Sequence, residues 1–303
     1  MKLSIYGAGR VGATTAFAIL EKRLFDEIVL VDINKSLAEG EAMDLLHSTP
    51  FLKRTIIRSG NAEDITGSDV IIITAGASQK EGETRLQLLD RNVGIIQKIA
   101  DEIKQYSPQS IVINVTNPVD VLTYVLWKRL ETDSAKVLGT GTILDTARLR
   151  SLIGINCQVS PVSVHAYVIG EHGDSEVVAW SAATIGGVKI KEFCNCCDRK
   201  NCLGLEKIEE EVRNAAYEII KRKGATNYAI AQATANFVES ILKDEQRVWT
   251  PSVLYEDIYI GYPAIVGRQG VQRIIPLQLS REEEQKFIHS CEIIRNTLRQ
   301  LKA

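Results

Sequence analysis

Short runs that are apolar along nearly their whole length alternate with longer amphipathic stretches through the first half of the chain. The short runs, rich in β-branched residues, are KLSIY (2–6), EIVLVD (27–32), VIIITA (70–75), SIVINVT (110–116) and KVLGT (136–140). A strand covered on one face alternates apolar and polar positions. A strand covered on both faces stays apolar throughout, which is the pattern of a buried parallel sheet. Between these runs, VGATTAFAILEKR (11–23), TRLQLLDRNVGIIQKIADEIKQY (84–106) and PVDVLTYVLWKRL (118–130) carry helical spacing. Strand and helix in regular alternation predict an α/β domain with a doubly wound parallel sheet over residues 1–142.

The rhythm changes after about residue 142. ILDTARLRSLIGI (143–155) reads as a helix, and segments rich in Val, Ile and Gly up to IGGVKI (185–190) read as antiparallel hairpins. Two long helical patterns follow, about 203–223 and 225–243, then a second β-like region and a charged helix that begins near Ser280. Residues 143–303 are therefore expected to form a second, mixed α+β domain. No internal repeat or low-complexity linker separates the halves, so they should pack against each other.

Composition narrows the possible partners. The 303 residues are 45% hydrophobic and 24% charged with a formal net charge of −2, which leaves no electrostatic case for nucleic acid or an anionic membrane as the main partner. No apolar run approaches the ~20 residues that a bilayer crossing requires. MKLSIYGAGRVG enters a strand at once and shows no signal peptide, so a cytoplasmic location with six reduced cysteines is expected. Four of them cluster in FCNCCDRKNC: Cys194, Cys196, Cys197 and Cys202. Cys194 and Cys197 have the C-x-x-C spacing of a metal or redox pair, with Cys202 as a possible third ligand. No second pair and no His follow, so the simpler expectation is a solvated loop of thiols with no metal.

Two groups of residues carry chemistry. YGAGRVG sets Gly7, Gly9 and Gly12 in a G-x-G-x-x-G between a strand and a helix, with Asp32 ending the next strand about 20 residues on. The glycines permit a tight turn, close approach of a pyrophosphate, and helix–strand packing. The carboxylate accepts hydrogen bonds from ribose hydroxyls and repels a 2′-phosphate, which selects NAD. The second group centres on His172 in VIGEHGDSEV. A proton donor there needs a carboxylate to orient it and cations to hold an anionic substrate. Asp145 and Arg148 in LDTAR, Arg85 in EGETR and Asn117 in TNPVD supply the required types. Taken singly, each has a plainer reading: a surface ion pair for Asp145 and Arg148, a loop histidine, a turn asparagine.

Together, GAGRVG, VDIN, AGASQKEGETR, NVTNPVDVLTYV, GTGTILDTARLR, GEHGDS and KGAT occur in the order and at the spacing of the bacterial-type L-lactate dehydrogenases of the lactate/malate dehydrogenase superfamily. The chain resembles that family over essentially its full length. The resemblance implies reversible, NADH-dependent reduction of pyruvate to L-lactate, the last step of fermentative glycolysis. It makes His172 the acid/base, Asp145 its orienting partner and Arg148 the clamp on the substrate carboxylate. Arg85 becomes a loop arginine that polarises the carbonyl, with Asn117 and Thr226 lining the substrate. Arg10, Val11, Ala75, Gly76 and Asn117 join Gly7, Gly9, Gly12 and Asp32 around the dinucleotide.

Gln79, six residues before Arg85, is implied to face the substrate's variable end. A malate enzyme would carry arginine there to pair with a second carboxylate. Arg150 and His165 resemble the residues with which allosteric members bind fructose 1,6-bisphosphate across a two-fold axis, so activation by that ligand and a homotetramer are also implied. His47 and His289 are expected at the surface. The turn near Glu256 is shorter than the family's usual one.

Overall fold

The computed structural model describes residues 1–52, 54–77, 82–195 and 202–301. The amino-terminal half contains β1 (Lys2–Tyr6), α1 (Arg10–Glu21), β2 (Glu27–Val31), α2 (Lys35–Ser48), β3 (Ile56–Gly60), β4 (Val70–Ile73), α3 (Arg85–Tyr106), β5 (Ile111–Asn114), α4 (Val119–Leu130) and β6 (Val137–Gly139). Its strands lie parallel in the order β3-β2-β1-β4-β5-β6, the arrangement of a doubly wound dinucleotide fold. The five apolar runs become β1, β2, β4, β5 and β6, and β4 and β5 are buried at every position. The pattern reading assigned no element between residues 33 and 69, where the structure places α2 and β3. Both lie at the sheet's outer edge. Only Ala38, Ala42 and Leu45 of α2 are buried, and β3 buries Ile57 while exposing Ile56.

The second half begins with α5 (Ile143–Cys157). Five two-residue strands follow: β7 (Val164–His165), β8 (Val168–Ile169), β9 (Val177–Val178), β10 (Thr184–Ile185) and β11 (Val188–Lys189). Next come α6 (Ile190–Asn195), α7 (Leu205–Lys223), α8 (Tyr228–Leu242), β12 (Arg247–Trp249), β13 (Ser252–Tyr255), β14 (Ile258–Gly261), β15 (Ala264–Gly267), β16 (Gly270–Ile274) and α9 (Arg281–Gln300). The small strands pair antiparallel, as the hairpin-like patterning predicts. A second apolar core, built around Leu149, Ile153, Val168, Ile185 and Ile208, joins α5 and α7 to these strands.

The two halves share one sheet. β13 pairs with β6 through Ser252 and Gly139, and β14 extends it to eight strands. The short turn at Glu256 is a two-residue connection between β13 and β14, with Glu256 in the left-handed region at φ 53°. Arg295 of α9 holds it from outside by pairing with Glu256 and Asp257.

Candidate active site

The carboxyl end of the parallel sheet forms a continuous polypeptide floor. Gly7 follows β1 at φ 99°, and a Cβ there would lie 2.6 Å from the Ala75 nitrogen. A Cβ on Gly12 would lie 1.8 Å from the Gly7 carbonyl oxygen, so the turn and α1 close on each other only through glycine. Gly9 differs: nothing lies within 4 Å of the corresponding point, and the space above it is open. As N-cap of α1 it has no side chain to cap the helix, so the first N–H groups remain for an anion.

Thr74 donates to the Gly7 carbonyl at 2.9 Å and Thr116 donates to the Ala75 carbonyl at 2.9 Å. Asn92 accepts from Ala77 N–H and donates to the Asn117 carbonyl. These bonds hold the segment 75–77 against Asn117, and Gly76 and Asn117 are exposed along the cleft. Asp32 stands at the end of β2. Its two oxygens accept the backbone N–H groups of Ala8 (2.7 Å) and Asn34 (2.8 Å). The cap of α2 is Asn34, which accepts from Leu37, so Asp32 is not spent on capping that helix. Each Asp32 oxygen keeps acceptor capacity for a ribose hydroxyl. An open cradle at Gly9, bare helix N–H groups and this carboxylate together fit an NAD dinucleotide.

His172 lies on the loop after β8, which is tied down on two sides. Gly170 exchanges both backbone bonds with Gly261, and Ser290 of α9 accepts from Glu171 N–H at 2.7 Å. The His172 backbone N–H donates to Asp120 Oδ2 at 2.8 Å, and Ser252 donates to the other Asp120 oxygen at 2.5 Å. Asp120 sits in the first turn of α4, three residues after Asn117, so this bond ties the His172 loop to the dinucleotide floor.

The imidazole Nδ1 is 2.6 Å from Asp145 Oδ2, and Arg148 Nη1 donates to Asp145 Oδ1 at 2.8 Å. The required positions follow from helix geometry, since residues three apart on α5 share a face. Asp145 is 2% exposed, Arg148 14% and the His172 side chain 26%, so the anion is sealed while the acid reaches the opening. Beyond Arg148 a cavity of about 550 Å³ opens between α5 and α7, where Tyr217 donates to Asp174 of the His172 loop at 2.9 Å.

Electrostatics divide the labour among the acids. Burial alone would push the Asp145 carboxyl up, but the His172 charge and Arg148 outweigh it and hold the group below its ordinary value. Burial disfavours the His172 imidazolium, yet the Asp145 charge and hydrogen bond overcome that and raise it to about 9. Glu176 closes the cluster: its carboxylate, His172 and Asp145 offer ligand atoms within 4.8 Å of one another. Burial and the neighbouring Asp145 charge push Glu176 up to about 8, so it is mostly neutral at pH 7. Burial likewise raises Asp120 to about 6.

Not every expected residue joins this cluster. Gln79 lies outside the described residues, as do Cys196 and Cys197, and the Arg85 side chain is likewise not described. The Arg85 backbone opens α3 behind a capping box of Thr84 and Gln87. The contacts flanking Thr226 go to α1: Asn227 donates to Thr14 at 3.0 Å, and a Cβ on Gly224 would approach Arg10 to 3.9 Å. Arg10 and Val11 form the first turn of α1. His47 and His289 are exposed. Arg150 donates to the Ala166 carbonyl at 3.0 Å, beside His165, and stacks on Tyr167. Cys194 lies within α6 and not in a loop.

Two family models account for the chain: the lactate/malate dehydrogenase NAD-binding domain matches residues 1–139, and the α/β C-terminal domain of the same enzymes matches residues 142–303. The chain belongs to the lactate/malate dehydrogenase family. It is an NAD-dependent oxidoreductase.

Among similar proteins, the L-lactate dehydrogenase of Pseudothermotoga lettingae is 58% identical over 300 residues, which cover 99% of this chain and 96% of the relative. That of Fervidobacterium nodosum is 55% identical over 307 residues, covering 100% of this chain and 99% of the relative. A lactate dehydrogenase from a Medee basin deep-sea metagenome library superposes with a TM-score of 0.95 at 41% identity, covering 98% of both chains. The minor L-lactate dehydrogenase of Enterococcus mundtii in a ligand-bound form gives 0.94 at 38% identity, covering 99% of this chain and 98% of that one. No helix among the described residues of this dehydrogenase is long and apolar enough to cross a membrane.

Asp120, Glu176 and Asn92 escaped the sequence reading although two of them sit inside quoted motifs. An acid in the first turn of a helix normally offsets the helix dipole at the surface. Only its burial, in contact with the His172 loop, marks Asp120 in this dehydrogenase as part of the site.

Proposed function

We propose that this dehydrogenase reduces pyruvate to L-lactate, and reverses the reaction, in the cytoplasm as the last step of fermentative glycolysis. The reading rests chiefly on the 2.6 Å contact of His172 with Asp145, whose other oxygen carries Arg148. Asp145 keeps a proton on Nδ1, which leaves Nε2 to pass its proton to the keto oxygen. Arg148 takes the substrate carboxylate with its planar guanidinium, and Arg85 stabilises charge as it develops on the keto oxygen. Asn117 hydrogen-bonds that oxygen and Thr226 lines the pocket. Bound NADH supplies a hydride to the carbonyl carbon. Glu176 stays neutral at pH 7 and so spares the substrate carboxylate a second nearby negative charge.

The experiment is NADH oxidation with pyruvate, oxaloacetate and a longer 2-keto acid. Pyruvate is expected to have the highest kcat/KM, and equal turnover of oxaloacetate would reject the assignment. Gln79→Arg is expected to reverse the preference toward oxaloacetate. A buried carboxylate without its partner costs about 3–5 kcal/mol, so the ratio of the two kcat/KM values should move by at least a hundredfold. A ratio unchanged by the substitution would show that position 79 does not face the substrate.

Two features support regulation by self-association. Phe17 of α1, Met43 and Leu46 of α2 and Tyr228 of α8 are exposed large apolar side chains that a second copy of the chain would cover, with a homotetramer as the assembly. Among the described residues no carboxylate pairs with Arg150; burial and the like charge of Arg247 hold its guanidinium below its usual value. With His165 one residue from its carbonyl partner, Arg150 would meet a phosphate of fructose 1,6-bisphosphate. Adding the bisphosphate is expected to lower the apparent KM for pyruvate several-fold, and Arg150→Ala to abolish that response. An unchanged KM in the unmodified enzyme would end this part of the reading.

A further inference from the structure

Gly261, Ser290, Asp145 and Tyr217 hold the His172 loop from the second half of the molecule. Asp120 reaches it from the first. Its carboxylate is buried, accepting the His172 backbone N–H on one oxygen and the Ser252 hydroxyl on the other. What Asp120 is attached to gives the contact its meaning. It lies in the first turn of α4, where the helix dipole favours an anion. That turn is fixed to β5 by the buried Asn114, whose amide donates to the carbonyls of Thr116 (3.2 Å) and Val119 (3.3 Å). The Asn114 oxygen accepts from Thr116 N–H at 3.1 Å, and Thr116 in turn holds the Ala75 carbonyl. A series of hydrogen bonds therefore runs from the dinucleotide floor, through the start of α4, to the backbone of His172.

We infer that Asp120, braced by Ser252, is the positioning residue that keeps His172 in register with the dinucleotide floor. The inference rests on the reading of His172 as the acid. The hydride comes from a cofactor held by the first half, and the proton from a loop of the second. Both must reach one carbonyl group, and a misplacement of about 1 Å can cost about a hundredfold in rate. A carboxylate suits this task, because a charge-assisted hydrogen bond is short and burial strengthens it further. Ser252 is itself fixed: it is buried in β13 and pairs with Gly139 of β6. Asp120 acts through the His172 backbone and exchanges no proton with the substrate.

The test compares Asp120→Ala, Asp120→Asn and Ser252→Ala in the full-length enzyme. The rate read is single-turnover oxidation of bound NADH by stopped flow, which isolates the chemical step. It is taken with whichever 2-keto acid the unaltered enzyme reduces fastest, so a wrong choice of substrate does not decide the outcome. Asp120→Ala should lower this rate about a hundredfold. Half-saturation by the keto acid should stay within about twofold, because the Arg148 clamp is untouched. Asparagine offers an oxygen to the His172 N–H and an amide to the Ser252 hydroxyl, which can turn to accept it. Asp120→Asn should therefore run at least about tenfold faster than the alanine variant. Ser252→Ala leaves the carboxylate with one donor and should lower the rate about tenfold, again without a change in half-saturation. It carries the test if Asp120→Ala does not fold. A normal single-turnover rate in folded Asp120→Ala or in Ser252→Ala overturns the inference, as does a loss that resides wholly in keto acid binding. An asparagine variant no faster than alanine overturns it too.

Discussion

Replacing His172 with asparagine is expected to lower kcat for pyruvate reduction by about a thousandfold while NADH binding, followed by fluorescence, stays unchanged. The size follows from what a positioned general acid contributes, about 10²–10⁴ in rate. Asparagine can still meet Asp145 and keeps the backbone N–H that Asp120 accepts, so the loop retains its anchor. The unmodified enzyme supplies a companion measurement. With Glu176 ionising near pH 8 and the imidazolium persisting to about pH 9, kcat/KM for pyruvate should begin to decline above about pH 8 and fall steeply through about pH 9. Lactate oxidation needs the neutral ring and should rise over the same interval. The asparagine variant should show neither limb near pH 9. A variant that kept a tenth or more of the normal rate would remove His172 from the chemistry.

Arg148→Lys should leave the fold intact and cut kcat/KM for pyruvate by about 150-fold, equivalent to about 3 kcal/mol for a buried charge partner lost or misdirected. Lysine retains the positive charge beside Asp145 but not the planar fork that grips a carboxylate with two parallel bonds. The loss should therefore appear mainly as a raised KM, with the pH 9 limb nearly in place. If KM were unchanged and only the pH profile moved, Arg148 would be acting on Asp145 and His172 alone, and the clamp would have to be sought elsewhere.

The legible parts of the sequence were those where one physical requirement fixes one residue type. Strands buried on both faces must be apolar, so the middle of the sheet could be read from β-branched runs. Gly7 and Gly12 approach backbone so closely that a methyl group would collide, and Asp145 and Arg148 must be three apart to share a face of α5. Where requirements are loose, the pattern faded. β3 needs only Ile57 inside, and α2 leaves Leu37, Met43 and Leu46 exposed, so neither showed a clean period. Asp120 and Glu176 escaped for a different reason. Each matters through a neighbour distant in the chain, and only the folded arrangement brings His172 or Asp145 to it.

The strand pairing of Ser252 with Gly139 has a practical consequence for anyone wishing to separate the halves of this enzyme. A fragment stopping at Thr142 would present the raw margin of β6 to solvent, an invitation to edge-to-edge aggregation. It would also strip Asp120 of its serine hydroxyl and its His172 amide in one cut, stranding a carboxyl group that the intact protein keeps fully covered. Nucleotide affinity is thus better measured in whole-length variants than in a liberated amino-terminal piece.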